Sequence, residues 1–188
     1  SLLVGHSTTG TLSTAVDNTG VGIEAMDAVT SGDNNTAVGT SALTSVTSGG
    51  NNTGIGRFAL GSINTTSNNT AVGTNAQKSA SGGAKNTSLG EDSLDQVTGD
   101  GNIAIGYQSG DNITSGDGNV VIGKADVSSA TGSDQLSISS GDDGSVVWMT
   151  GDSSANVTVG GNIQAANIKQ EGTDFSNSLL VGHSTTGT

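Results

Sequence analysis

The chain has no cysteine and no proline, only five basic residues, and aromatics at 2% of its 188 residues. Without cysteine no disulfide can staple it, a condition equally compatible with an extracellular fibre and with a reducing compartment. The basic residues are Arg57, Lys78, Lys85, Lys124 and Lys169, set against 17 acidic ones for a net charge of −12. That balance argues against nucleic acid, which needs a cationic footprint, and against an anionic membrane surface. No apolar run approaches the roughly 20 residues that span a bilayer as a helix. With so few aromatics, a thick globular core has little to build on, because those side chains bury the most area per residue ordered.

What is present is repetition. A large aliphatic residue precedes glycine at Val4-Gly5, Val21-Gly22, Val38-Gly39, Ile55-Gly56, Val72-Gly73, Leu89-Gly90, Ile105-Gly106 and Ile122-Gly123. The step is 17 residues, except for 16 between Gly90 and Gly106. A fixed period of this length is the mark of a solenoid. A disordered Gly/Ser-rich linker has no reason to hold such a phase. A longer period frames the short one: Ser1–Thr11 recurs letter for letter at Ser178–Thr188, 177 residues on. The chain reads as one cell of a tandem array plus the start of the next.

Aligned on the glycine, further columns appear. Asparagine stands four positions earlier at Asn18, Asn35, Asn52, Asn69, Asn86, Asn102 and Asn119. Three positions later the residue is small (Ala25, Ala42, Ala59, Ala76, Ser93, Ser109), and the next is larger (Met26, Leu43, Leu60, Leu94), with Gln77 and Gly110 as exceptions. Seven positions later come Val29, Val46, Ile63, Ala80, Val97 and Ile113. Each turn is expected to hold a short strand such as Asn35–Val38, a bend at Gly39, a second short extended piece, and a loop such as Thr47–Asn51. Strand residues alternate faces. The aliphatic column of Val38 is therefore expected to fill the chain's own interior. The small column of Gly20, Ala37, Gly54, Ala71, Ser88 and Ala104 would face a neighbouring chain. The glycines are expected at positive φ or at corners too tight for a Cβ. The asparagines have two readings: amide ladders along the axis, or local caps bonding their own turn. The crowding of Gly and Asp around them favours the cap.

After residue 126 the rhythm changes. Gln135–Ser139 and Ser145–Met149 alternate like strands about the turn 141–144 and read as a hairpin. Asn156–Ile163 alternates likewise, and Ala165–Gln170 reads as a helical turn or a last strand. The expected organisation is a solenoid of about eight turns over 1–126, a β-rich spacer or cap over 127–177, and the start of the next cell over 178–188.

No catalytic constellation stands out. His6 and His183 are one position in successive cells, and neither a cysteine nor a G-x-S-x-G elbow supports a nucleophile. No enzyme activity and no cofactor are expected. The acidic loops 99–102, 116–119 and 141–144 leave calcium open, since hard cations take carboxylate and carbonyl oxygens. They do not match the EF-hand or the glycine-rich calcium repeat. Phe58, Tyr107, Trp148 and Phe175 are too few and scattered to propose a glycan cleft.

The segments Asn35–Ala42 and Asn102–Gly106 resemble the head repeats of trimeric autotransporter adhesins of the YadA type, which share a small–aliphatic–Gly core followed by alanine. Similar repeats occur in bacteriophage tail fibres, and Val147–Ser154 also resembles tail-fibre segments. The likeness covers residues 1–126 closely and the rest loosely. The 17-residue step is longer than the adhesin period, and no heptad-patterned stalk follows. The resemblance implies an all-β, parallel β-roll in which three chains associate, on a virion or extracellular surface. The expected function is a structural fibre segment, self-associating as a homotrimer. Any cell-surface receptor would be bound by a region outside this segment. The alternatives are a surface adhesin that itself binds host matrix or glycans, and a self-assembling extracellular filament.

Overall fold

The computed structural model describes residues 1–4, 14–140 and 143–161. Gly5, His6, the segment 165–170, Phe175, His183 and the repeat at 178–188 lie outside the described residues, as do positions 141 and 142 of the hairpin turn. All regular structure among the described residues is β.

Eleven strands form one sheet in chain order: β1 (Leu2–Val4), β2 (Thr19–Val21), β3 (Thr36–Val38), β4 (Thr53–Ile55), β5 (Thr70–Val72), β6 (Thr87–Leu89), β7 (Ile103–Ile105), β8 (Val120–Ile122), β9 (Leu136–Ser140), β10 (Val146–Gly151) and β11 (Val157–Val159). From β1 to β9 each strand pairs in parallel with the next. The result is a parallel β-solenoid of about seven turns at the 17-residue step. β9 stacks on β8 with Ile138 opposite Ile122, so the parallel run continues one strand past residue 126. The rung is hard to see in the sequence because Ser139, not glycine, follows its aliphatic residue. β9–β10 and β10–β11 are then antiparallel, with a bulge between Val147 and Met149.

The second extended piece expected in each turn is instead a compact turn. Gly39 lies at φ +131°, and Ser41 and Leu43 are left-handed at +56° and +52°. Their equivalents Glu24, Met26, Phe58, Leu60, Asn75, Gln77, Asp92 and Leu94 repeat that conformation. The turn sends N–H groups both ways along the axis, while the Ala42 N–H between them closes onto Gly39 (3.3 Å). Ser41 donates to the Ile23 carbonyl of the turn before (2.8 Å), and Leu43 to the Ala59 carbonyl of the turn after (2.9 Å). This second ladder satisfies the backbone without a strand.

The core is a column of fully buried Met26, Leu43, Leu60 and Leu94, flanked by Val29, Val46, Ile63, Val97 and Ile113. These side chains reach under the strands, and that overturns the facing read from the sequence. The small column points inward: Ala37, Ala71, Ser88 and Ala104 are wholly buried. The large aliphatic column points out, with Val38 at 38% and Leu89 at 47% exposure. The cause is space. A Cβ built on Gly54 would lie 3.3 Å from Leu43 Cγ, so the leucines opposite leave room for little more than a methyl group. Where Gln77 replaces leucine, its Nε2 donates to Ser88 Oγ in that small column (2.9 Å) and to the Thr70 carbonyl (3.2 Å), so the buried amide is partnered.

Candidate assembly surface

The outward aliphatic column is continuous across every strand. Val4, Val21, Val38, Ile55, Val72, Leu89, Ile105 and Ile122 stack in register. Ile138, Met149 and Val159 carry the column through the switch to antiparallel pairing. Beside it runs a second outward column, threonine at 19, 36, 53, 70 and 87 and aliphatic at Ile103, Val120 and Leu136. Neither column holds a charged residue. On one face the chain thus presents an uncharged stripe, in a molecule that carries a net charge of −12.

Two internal devices keep the turns stacked closely in register. The first is the asparagine column, buried at Asn18, Asn35, Asn52, Asn69, Asn86, Asn102 and Asn119. Each side chain bonds a neighbouring turn, and Asn69 Nδ2 adds one long local bond to Thr66 Oγ1 (3.5 Å). Asn18 Oδ1 accepts the Asn35 backbone N–H (2.8 Å) and Asn35 Nδ2 (3.1 Å), while Asn35 Nδ2 also donates to the Gly49 carbonyl (2.9 Å). The backbone contact repeats at every step to Asn119. Gln135 then takes the next position, its backbone N–H donating to Asn119 Oδ1 at 2.9 Å. The amide ladder, and not the local cap, is the geometry found. Sequence reasoning missed Gln135 because it was aligned on asparagine alone; its signal was the 16-residue step from Asn119, the same as that from Asn86 to Asn102.

The second device is the glycine column. Gly22, Gly39, Gly56, Gly73, Gly90 and Gly106 lie between φ +131° and +143°, and Gly123 at +93°. A Cβ on Gly73 would fall 2.4 Å from the Gly90 carbonyl oxygen, so the stacking of turns itself excludes a side chain there.

The acidic loops use their carboxylates structurally. Asp100 Oδ1 accepts the Ala84 N–H (2.8 Å) and Asp117 Oδ1 the Asp100 N–H (2.7 Å). Among the described residues no group of three or more His, Cys, Asp or Glu could hold a metal ion. A separate cluster at one corner joins Asp92, Asp111, Lys124 and Asp126. Burial, then the neighbouring charge of Asp126 and a hydrogen bond to it, push the Asp111 carboxyl up to about 6, with Lys124 opposing.

Phe58, Tyr107 and Trp148 lie outside the core, with Arg57 stacked 4.1 Å over Phe58 and Lys124 5.2 Å over Tyr107. Trp148 is 60% exposed and borders a shallow hollow of about 310 Å³ with Val146, Val147 and Val159. No family model, no curated protein and no solved structure matches the chain.

Proposed function

We propose that the chain is a structural segment of a long fibre on a virion or extracellular appendage, built of tandem 177-residue cells. In it three copies pack their aliphatic stripes together around a common axis. The observation that carries the reading is the unbroken outward column from Val4 to Val159. A contiguous apolar stripe of this length is rare on the free surface of a soluble monomer. β-Branched and leucine side chains in register on one face of a sheet suit sheet-against-sheet packing. The letter-for-letter recurrence at residue 178 supports the tandem arrangement, and the likeness to trimeric adhesin heads and tail-fibre repeats supports threefold symmetry. The mechanism is mechanical: backbone and asparagine ladders run along the axis, the stripes exclude water between chains, and Ser, Thr and Asn loops keep the outside hydrated.

Sedimentation of the 188-residue chain at several concentrations tests this. The expected mass is that of a trimer at all of them. The double variant Ile55→Asp with Ile105→Asp places charges on the stripe; it should sediment as a monomer with an unchanged β-type circular dichroism spectrum. A wild-type monomer would sink the assembly.

A further inference from the structure

β11 is built like a solenoid strand although it follows a hairpin. Asn156–Gly160 reads Asn-Val-Thr-Val-Gly, the same layout as Asn35–Gly39, Asn-Thr-Ala-Val-Gly. Two reversals bring β11 back to the direction of β1–β9. Its Gly160 N–H donates back to the Trp148 carbonyl (2.9 Å), as the Gly39 N–H donates back to Val21 (2.8 Å). The bonds Asp152 N–H to Asn156 (3.1 Å) and Gly160 N–H to Trp148 set the phase of the β10–β11 ladder. Pairs alternate in an antiparallel ladder, so Met149–Val159 and Gly151–Val157 are the non-bonded pairs. The N–H and C=O groups of Val157 and Val159 therefore face the other side, the outer edge of the sheet. In every complete turn the same two positions serve the following strand: Thr36 N–H donates to Asn52, and the Val38 carbonyl accepts from Gly56 N–H, both at 2.8 Å. On the inward face Thr150 and Thr158 are exposed, so among the described residues no turn closes beneath them.

We infer that the outer edge of β11 is an unfilled rung, and that its occupant is Ser178–Val181 of the same chain, in parallel with Val181 opposite Val159. Ser178–Gly182 is identical in sequence to Ser1–Gly5, in which Leu2–Val4 forms β1. β1 shows that this sequence forms a solenoid rung: like Thr36 and Val38, its Leu2 N–H donates forward to Asn18 (2.8 Å) and its Val4 carbonyl accepts from Gly22 N–H (2.9 Å), the same forward groups that β11 leaves free. By the same register the Val157 N–H meets the Ser178 carbonyl, and the Gly182 N–H meets the Val159 carbonyl. Val181 lies 22 residues after Val159, five more than a regular turn, and lengthening a connecting loop this much costs little closure entropy. The join makes the backbone ladder and the aliphatic column continuous from one cell to the next, with no flexible linker between solenoids. It also removes the hazard of a bare edge strand. The inference rests on the tandem-cell part of the proposed fibre and not on its trimerisation.

Residue-resolved amide exchange of the full 188-residue chain tests the join. Val157 and Val159 should exchange at least about tenfold more slowly in the wild type than in Leu180→Pro, which cannot extend the ladder. The amides of Ala71 and Ala104 report the folded solenoid and should not differ between the two. Equal exchange of Val157 and Val159 in both proteins overturns the inference. Protection that disappears on dilution, or persists in Leu180→Pro, also overturns it, assigning the edge to a second copy. The mass of the same samples separates the two readings. Protected amides in a monomer keep the join and refute the trimer, whereas unprotected amides in a trimer do the reverse.

Discussion

Replacing Asn69 by alanine removes one rung of the buried amide ladder from the middle of the solenoid. Asn69 Oδ1 accepts the Asn86 backbone N–H at 2.9 Å, and its Nδ2 donates to the Gly83 carbonyl at 3.1 Å. Its own backbone N–H, held by Asn52 Oδ1 at 3.0 Å, is unaffected. The substitution therefore orphans one buried donor and one buried acceptor. At about 1–3 kcal/mol for each of the two unsatisfied groups, the loss is about 2–6 kcal/mol. The assay is urea denaturation followed by far-ultraviolet circular dichroism, with Trp148 fluorescence reporting separately on β10. Ser62→Ala, at an exposed site, serves as the control and should lie within about 0.5 kcal/mol of wild type.

Asn69→Asp separates the two roles an asparagine could play here. Aspartate serves a local turn as well as asparagine does. In the ladder it replaces the Nδ2 donor with an oxygen facing the Gly83 carbonyl, inside a closed interior where an unpaired charge is costly. Loss of stability at least as large as that of Asn69→Ala is expected. If Asn69→Asp matches wild type, or Asn69→Ala costs no more than the Ser62 control, the ladder does not hold the turns together and this reasoning fails.

Three further outcomes follow from the same structure. Ala71→Leu forces three extra carbons into the filled interior and should lower the denaturation midpoint by the equivalent of about 1–3 kcal/mol, whereas Val72→Leu on the outward column leaves it nearly unchanged; the reverse order would mean the faces are assigned wrongly. Lys85 sits at φ +62° in a loop column otherwise held by Asp17, Asn34, Asn51, Asn68, Gly101, Gly118 and Asp134, so Lys85→Gly should raise the midpoint by the equivalent of about 0.5–1 kcal/mol. Asp111 titrates at about 6 in the folded chain and near 3.9 unfolded. A raised carboxylate favours the folded state least where it is ionised, so stability should fall as pH climbs from about 4 to about 6 and stay lower above that. The full displacement is worth roughly 3 kcal/mol, and screening at this partly exposed site leaves about 1. Asp111→Asn should flatten the slope, which denaturation midpoints at about pH 4 and pH 8 would read.

The stacking was legible because it is written in one dimension. A parallel solenoid places residue i over residue i + 17, so the eight aliphatic–glycine pairs and the asparagine column are each a direct image of a ladder. The ninth parallel strand was less visible because Gln135 and Ser139 replace the marker residues while keeping their spacing. The turn after each glycine was misread as extended for a different reason. Left-handed Ser41 and Leu43 are conformations that side-chain type does not announce, since leucine carries no preference for positive φ. What holds them is the pairing of their N–H groups to the turns on either side, which appears only once the turns are stacked.

The inverted faces show why an alternating pattern is incomplete evidence for a three-residue strand. Alternation says that Ala37 and Val38 look in opposite directions; it does not say in which direction the chain closes upon itself. In a globular sheet the larger side chains mark the interior, because only one interior exists. A solenoid turn has a narrow interior, and where Leu43 and Val46 fill it from the opposite wall the strand adds little more than a methyl group; Val121 is buried there only where Gly110 stands in the leucine column. Bulk is then free to accumulate outside, and here it does so without interruption for eleven strands. Single exposed valines would be ordinary surface. An aliphatic column in register from Val4 to Val159, kept through a reversal of strand direction, is the surface that the proposed assembly would cover.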